Sequence, residues 1–187
     1  MGHQSMVTRH QAEKIKKIQL PLTADTARSL RAGDEVLLSG TIYTARDQAH
    51  QRMVRLLDEG KSLPVDLRGA VIYYCGPTKT KPGSVIGSCG PTTSSRMDPF
   101  AVRLLEEGVR GMIGKGGRSA EVLRAVKKNT AVYFAATGGA GAYLSQRVMK
   151  ARLVAFRDLG TEAIYELTVK DFPVVVAGDV RGKSVYR

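Results

Sequence analysis

The sequence points to an α/β fold layered as sheet, sheet and helix, and three features carry that expectation. "AVIYYCG" at 70–76 is an unbroken apolar run of the kind found in a strand covered on both faces. Downstream of it, strand-like and helix-like segments alternate, which implies parallel pairing through crossovers. Both ends of the chain are richer in strand patterns, enough for a second, mixed or antiparallel layer. The central sheet is therefore expected to be partly parallel.

The elements follow in order. Residues 1–13 are polar and irregular and read as a flexible tail, with one domain expected over 14–187. "KIKKIQLPL" alternates like a strand entering that domain. Thr23 is placed to cap a short helix "ADTARSL", and Gly33-Asp34 turns the chain into the strand "EVLLSG", expected to close at Gly40-Thr41. After "TIYTA", Ala49, Met53, Leu56 and Leu57 share one face of a helix over Asp47–Glu59, stopped by Gly60. "AVIYYCG" and "SVIGSCG" are strand candidates that each end in Cys-Gly-Pro, joined by the turn-rich "PTKTKPG". The helix "DPFAVRLLEEG", the strand "GMIGK", the helix "SAEVLRAVKKN" and the strand "AVYFAAT" come next. The small-residue stretch "GGAGAYL" leads to three last strand candidates, "VMKARLVAFR", "AIYELTV" and "FPVVVAGD".

Composition narrows the function. At 187 residues and 43% hydrophobic content, the chain can bury a core. No apolar run approaches the ~20 residues of a membrane span, and "MGHQSMVTRHQAEK" lacks the apolar centre of a secretory signal, so a cytoplasmic protein is expected. The 29 Lys and Arg against 17 Asp and Glu give a formal charge of +12, which suits an anionic ligand or partner. Those charges are dispersed, few aromatics sit beside them, and no helix-turn-helix or zinc-finger spacing is visible, which argues against nucleic acid.

Three clusters carry the chemistry. In "CGPTTSSRMDPF" a Gly-Pro turn presents Thr92, Thr93, Ser94 and Ser95, then Arg96, where a helix is expected to start. Free N–H groups at a helix start attract anions, and an arginine fork matches a carboxylate. Ordinary capping accounts for one hydroxyl of the row, not four. In "SGTIYTARDQAH", Arg46 precedes a helix on which Asp47 and His50 share a face, so Asp47 is expected to cap the helix and orient His50 while Arg46 meets a ligand. The alternative there is a capped helix with an exposed histidine. His50 is the only histidine outside the first 13 residues, which excludes a zinc site built on several histidines. In "GMIGKGGRS", Lys115 sits among glycines after a strand; a lysine in an exposed turn is the plainer reading. A phosphate loop would need Gly at 109 and Ser or Thr at 116, where Val109 and Gly116 stand, and Leu144 occupies the third glycine position of GxGxxG. Three cations in loops that follow strands suit a small dicarboxylate.

The segments "GDEVLLSGTIYTARDQAH", "YYCGPTKTKPGSVIGSCGPTTSSRMD", "GMIGKGG", "YFAATGGAGAYLS" and "FPVVVAGD" resemble, in order, the β-type chain of iron-sulfur hydro-lyases. This family comprises the two-subunit class I fumarate hydratases and tartrate dehydratases. The resemblance runs from Ile15 to about Lys183 and implies a three-layer β/β/α swivelling domain. It implies an α-type partner that holds a [4Fe-4S] cluster, and a hetero-oligomer such as a heterotetramer. It also implies that Arg46, Thr92, Arg96 and Lys115 contact a dicarboxylate, with Thr92 the catalytic candidate, Thr93 a further substrate-binding hydroxyl, and Asp47 and His50 behind them. With only Cys75 and Cys89, this chain is expected to hold no metal itself. The reaction implied is the reversible hydration of fumarate to L-malate, with tartrate or a related hydroxy acid as the alternative substrate. A stand-alone anion-binding module is the non-enzymatic alternative.

Overall fold

The computed structural model describes residues 15–186; the expected tail over 1–13 lies outside the described residues. β1 (Lys16–Gln19) is followed by α1 (Ala24–Ser29), where Thr23 Oγ1 accepts the Thr26 N–H at 3.1 Å, the expected cap. β2 (Glu35–Thr44), α2 (Asp47–Asp58) and β3 (Val71–Tyr73) come next. A 3-10 turn, Ser94–Met97, runs directly into α3 (Asp98–Glu106). The remaining elements are β4 (Gly111–Gly114), α4 (Ala120–Lys128), β5 (Val132–Ala135), α5 (Gly141–Ser145), β6 (Val148–Ala155) and β7 (Ile164–Gly178).

The seven strands form one sheet in the order β1-β2-β3-β4-β5-β7-β6, and β7 pairs with β2 as well. β1 to β5 are mutually parallel, whereas β7 is antiparallel to β2, β5 and β6. The pairings β2–β3–β4–β5–β7–β2 therefore close into a ring. One core fills it: Leu38, Tyr73, Ile113, Phe134 and Phe172 meet there. A second core lies between the ring and the helices, where Ile72, Tyr74, Met112 and Tyr133 meet Met53, Leu104 and Val126. Neighbouring residues of β3, β4 and β5 thus enter opposite cores, the period-2 geometry of a strand. Each large apolar side chain so buried contributes ~1.5–3 kcal/mol. Sheet, sheet and helix layers follow from this arrangement, and the α/β reading holds.

Three expectations need correction. "EVLLSG" does not close at Gly40-Thr41: β2 continues to Thr44 through a register shift between Leu38 and Gly40, where Gly40 has φ +125°. "AIYELTV" and "FPVVVAGD" are one strand, β7, which bends at Asp171 (φ +49°) where its N–H is taken by Ser39 Oγ at 3.0 Å. The first part of β7 lies against β6 and the last part against β5. "SVIGSCG" is not a strand. It is a loop whose Ile86 and Cys89 plug the ring core, folded onto Thr78 so closely that a Cβ on Gly87 would stand 2.0 Å from the Thr78 carbonyl oxygen. Apolar side chains there serve burial without a ladder. Among the described residues no helix is long and apolar enough to cross a membrane.

His50 belongs to the helix core, at 1% exposure. Its Nδ1 lies 2.9 Å from the Arg46 carbonyl oxygen, so Nδ1 carries the proton, and its ring meets Tyr74 edge-on at 5.2 Å. Burial holds its pKa down to about 4 against the pull of the Arg46 carbonyl, with Arg118 nearby acting in the same direction as burial. The unfolded chain therefore binds the proton first, and stability is lost as pH falls below the ordinary histidine value of ~6.5. Between pH 7 and 5 the expected loss from this group is about 2 kcal/mol. Urea midpoints across that interval should slope in the wild type and flatten in His50→Gln; equal slopes would remove His50 as the cause.

Candidate functional site

Because β2, β3, β4 and β5 are parallel and in register, their C-terminal ends lie side by side: Thr44 pairs with Tyr73, Tyr73 with Ile113, and Gly114 with Ala135. The loops that leave these ends carry the residues singled out from the sequence. Open parallel sheets bind ligands at this edge, beyond the carboxyl ends of the strands.

Arg46 stands two residues past β2, at the N-cap of α2, with its guanidinium against Gly76 beyond β3. A Cβ on Gly76 would lie 3.1 Å from both Cδ and Nη1 of Arg46, so glycine leaves room for the arginine. Arg46 Nη2 is 3.6 Å from Asp47 Oδ2 and 3.8 Å from Glu162 Oε1. Asp47 Oδ1 accepts from Arg96 Nε at 3.0 Å. One carboxylate thus bridges two arginines arriving from different loops. Arg96 is bound through Nε alone and its side chain is 52% exposed, which leaves the outer edge of its fork open. Arg46 Nε and Asp47 Oδ2 are buried without a hydrogen-bond partner among the described residues.

The hydroxyl cluster is wedged between the ends of β3 and β4. Thr92 N–H donates to the Tyr74 carbonyl at 2.7 Å, Lys115 N–H to the Thr92 carbonyl at 3.2 Å, and Ser94 N–H to the Lys115 carbonyl at 2.9 Å. Thr93 and Lys115 pair as a parallel bridge. The sequence's third cluster is thereby stitched to its first. Lys115 is exposed, and its side chain lies over Gly138, where a Cβ would be in ordinary contact with its Cδ at 3.5 Å and its Nζ at 4.0 Å.

Two details depart from expectation. The helix start behind the hydroxyls is a 3-10 turn, and α3 proper opens on Asp98 and Pro99, which supply an acid and no N–H. Backbone N–H groups of Thr92 and Ser94 are already spent, so the site is built from side chains more than from a helix end. The hydroxyl row also divides: Thr93 is exposed and caps nothing, Thr92 is half-buried, and Ser94 turns into the core. Ser94 Oγ contacts Tyr133 Oη at 2.9 Å and lies where a Cβ on Gly114 would come within 2.0 Å. Asp47 does not orient His50, which the Arg46 carbonyl holds instead; it orients Arg96. Glu162, whose Oε2 also accepts the Gln48 N–H at 2.9 Å, was not foreseen, because it arrives from a 3-10 segment 114 residues later. Gly76 was legible only as part of a turn.

Cys75 and Cys89, both buried, face each other as free thiols with Sγ atoms 2.7 Å apart. The Cys89 contact and burial push the Cys75 thiol well above its ordinary value, so it stays protonated and inert beneath the loop. Among the described residues no group of three His, Cys, Asp or Glu side chains is placed to hold a metal ion.

Comparison with known proteins matches this arrangement to one family. The model of the Fumarase C-terminus family covers residues 2–187. A chain of Methanocaldococcus jannaschii named as the beta subunit of an L(+)-tartrate dehydratase is 40% identical over 171 residues, 88% of either chain. The anaerobic class I fumarate hydratase of Escherichia coli K12 is 41% identical over 153 residues, and fumarate hydratase 2 of Leishmania major 38% identical over 156. Those matches span 80% and 82% of this chain but 28% of each hydratase, so the chain corresponds to a minor part of the longer enzymes. With the family model matched over residues 2–187, this chain belongs to the Fumarase C-terminus family.

Proposed function

We propose that this chain is the β subunit of an iron-sulfur hydro-lyase, fumarate hydratase in the first place, and supplies the carboxylate-binding part of its active site. The observation that carries the reading is the Arg46–Asp47–Arg96 bridge set beside the Thr92–Lys115 stitch on one sheet edge. Tartrate dehydratase is the second reading, favoured by the M. jannaschii relative of matching length. In both, an α-type chain occupies the place of the remainder of the longer relatives, the two chains form a hetero-oligomer such as a heterotetramer, and the complex works in the cytoplasm. The [4Fe-4S] cluster belongs to that partner, because two cysteines buried against each other are too few and too enclosed to ligate it here.

The residues of this chain bind and stabilise charge. Arg96 offers its outer fork to one carboxylate while Asp47 fixes its inner nitrogen, so little side-chain freedom is left to lose on binding. Arg46 and Lys115 add positive charge from the flanking loops. Dehydration removes a C–H proton next to a carboxylate, and the dianionic aci-carboxylate that develops is stabilised by cations already in position. Thr92 Oγ1 is the atom assigned to that proton, since Lys115 and Arg96 on the same edge supply positive charge that makes an alkoxide less costly. A threonine hydroxyl is nonetheless a weak base, so an acidic side chain of the partner is the alternative acceptor, with Thr92 positioning the substrate.

Three outcomes are expected. Alone the chain should be colourless and inactive, and co-purification with an α-type chain should give hydration of fumarate; full turnover by the single chain would reject the division of labour. In the assembled enzyme Arg46→Lys and Arg96→Lys should each lose on the order of 2–4 kcal/mol of transition-state stabilisation, read as kcat/KM, with folding nearly unchanged. Wild-type kinetics in both would dismiss the clamp. Thr92→Ala should slow exchange of the substrate C–H proton with deuterated solvent; exchange at the wild-type rate would restrict Thr92 to positioning.

A further inference from the structure

A buried cation lies beneath this edge. The backbone of Arg118 reaches the surface just past Lys115-Gly116-Gly117, but its side chain is 0% exposed. The guanidinium is stacked between two rings, 5.3 Å from the centroid of Tyr74 and 5.2 Å from that of Tyr133. Its Nε donates to Asp98 Oδ1 at 2.6 Å and its Nη1 to the Tyr74 hydroxyl at 3.1 Å, while Nη2 has no partner among the described residues. The other Asp98 oxygen accepts the Ser119 N–H at 2.7 Å.

Besides Met112 Sδ of β4, 3.6 Å from Nη1, the groups that Arg118 touches each anchor one of the edge loops. Asp98 opens α3 two residues after Arg96. Tyr74 holds the Thr92 N–H through its carbonyl. Tyr133 Oη bridges Ser94 Oγ at 2.9 Å and the Gly116 carbonyl at 2.5 Å, on either side of the Thr93–Lys115 bridge. A buried ion pair is a poor device for stability alone, since an apolar replacement packs as well without the desolvation cost, and an unpartnered Nη2 adds to that cost. What a planar, forked cation provides and an apolar side chain does not is a fixed geometry among three separate groups.

We propose that Arg118 is the positioning residue of this edge, setting the spacing between the Thr92–Arg96 turn and Lys115 through Asp98, Tyr74 and Tyr133. The inference rests on the reading of this edge as the dicarboxylate site. Arg118 touches no reacting atom; it acts through the loops.

The test uses the full chain, alone and assembled with its α-type partner, in two variants. Arg118→Met/Asp98→Asn removes both charges together, so neither is left buried without its counterpart. Arg118→Lys keeps the charge and loses the stacked fork. In the chain alone, hydrogen exchange at the Thr92, Ser94 and Lys115 amides should accelerate about tenfold or more in the double variant, with the β2 and β7 amides unchanged. In the assembled enzyme kcat should fall about a hundredfold with KM moved far less, and Arg118→Lys should recover part of both effects. Wild-type exchange at those three amides, or wild-type kcat, in a folded variant overturns the proposal. Should the double variant not fold, the same two measurements on Arg118→Lys decide it. Accelerated exchange in a complex whose wild type hydrates no dicarboxylate would support the positioning role and reject the hydro-lyase reading.

Discussion

Parallel register between strands buried on both faces is the constraint from which the rest of this structure follows. β3, β4 and β5 send alternate residues into two different cores, so neither face is free to slide, and a slip of one residue would exchange the contents of both. Tyr73 and Tyr74 show the consequence: adjacent in sequence, one is buried in the ring and the other under the helices. Fixed register fixes where each strand ends. The loops beyond β2, β3, β4 and β5 consequently begin at one level, and their side chains are brought together without any contact between distant parts of the sequence having to be specified separately.

Charge is arranged on that edge by opposition. Arg46, Arg96 and Lys115 would repel one another if only the sheet gathered them. Asp47 and Glu162 offset part of that repulsion, and Asp47 does so by standing between the two arginines. The offset is incomplete: Arg46 Nε and Asp47 Oδ2 remain buried and unpartnered among the described residues. Buried polar atoms are normally satisfied, so each exception calls for a physical account. The chain's excess of 29 basic over 17 acidic residues gives the edge a favourable background for an anion, but dispersed charge of that kind directs approach more than it selects a ligand.

Much of this was readable from the sequence because periodicity reports burial. "AVIYYCG" announced a strand covered on both faces, and Thr23 and Gly60 marked helix ends where the structure has them. What escaped depended on tertiary partners. "SVIGSCG" has the composition of a strand, but its apolar residues fill a core reached by a loop, and only the close approach of Gly87 to Thr78 reveals why. "AIYELTV" and "FPVVVAGD" were expected as separate strands, yet the strand continues past Asp171, at positive φ, by changing its neighbour. Four hydroxyls in a row looked equivalent; Tyr133, 39 residues after Ser94, draws one of them inward. Asp47 was expected to orient His50, since helix spacing offered that partner, while the fold offers Arg96.

The edge also shows how mobility and accuracy are reconciled in one loop system. Glycines at 76, 114 and 141 let loops approach closely, and glycine-rich backbone is intrinsically the least ordered. The order returns from below. Tyr74, Ser94, Tyr133, Asp98 and Arg118 form a polar layer just under the surface, and burial pushes the Tyr74 and Tyr133 phenols above their ordinary range, so both stay neutral, Tyr133 as a donor and Tyr74 as an acceptor from Arg118. In the proposed reading, ligand groups then meet loops whose upper face is open and whose lower face is already fixed, which lowers the ordering cost of binding. A dicarboxylate that reached Arg96 and Arg46 would supply acceptors the chain lacks on its own, and its binding to the folded chain alone would stabilise that fold by mass action.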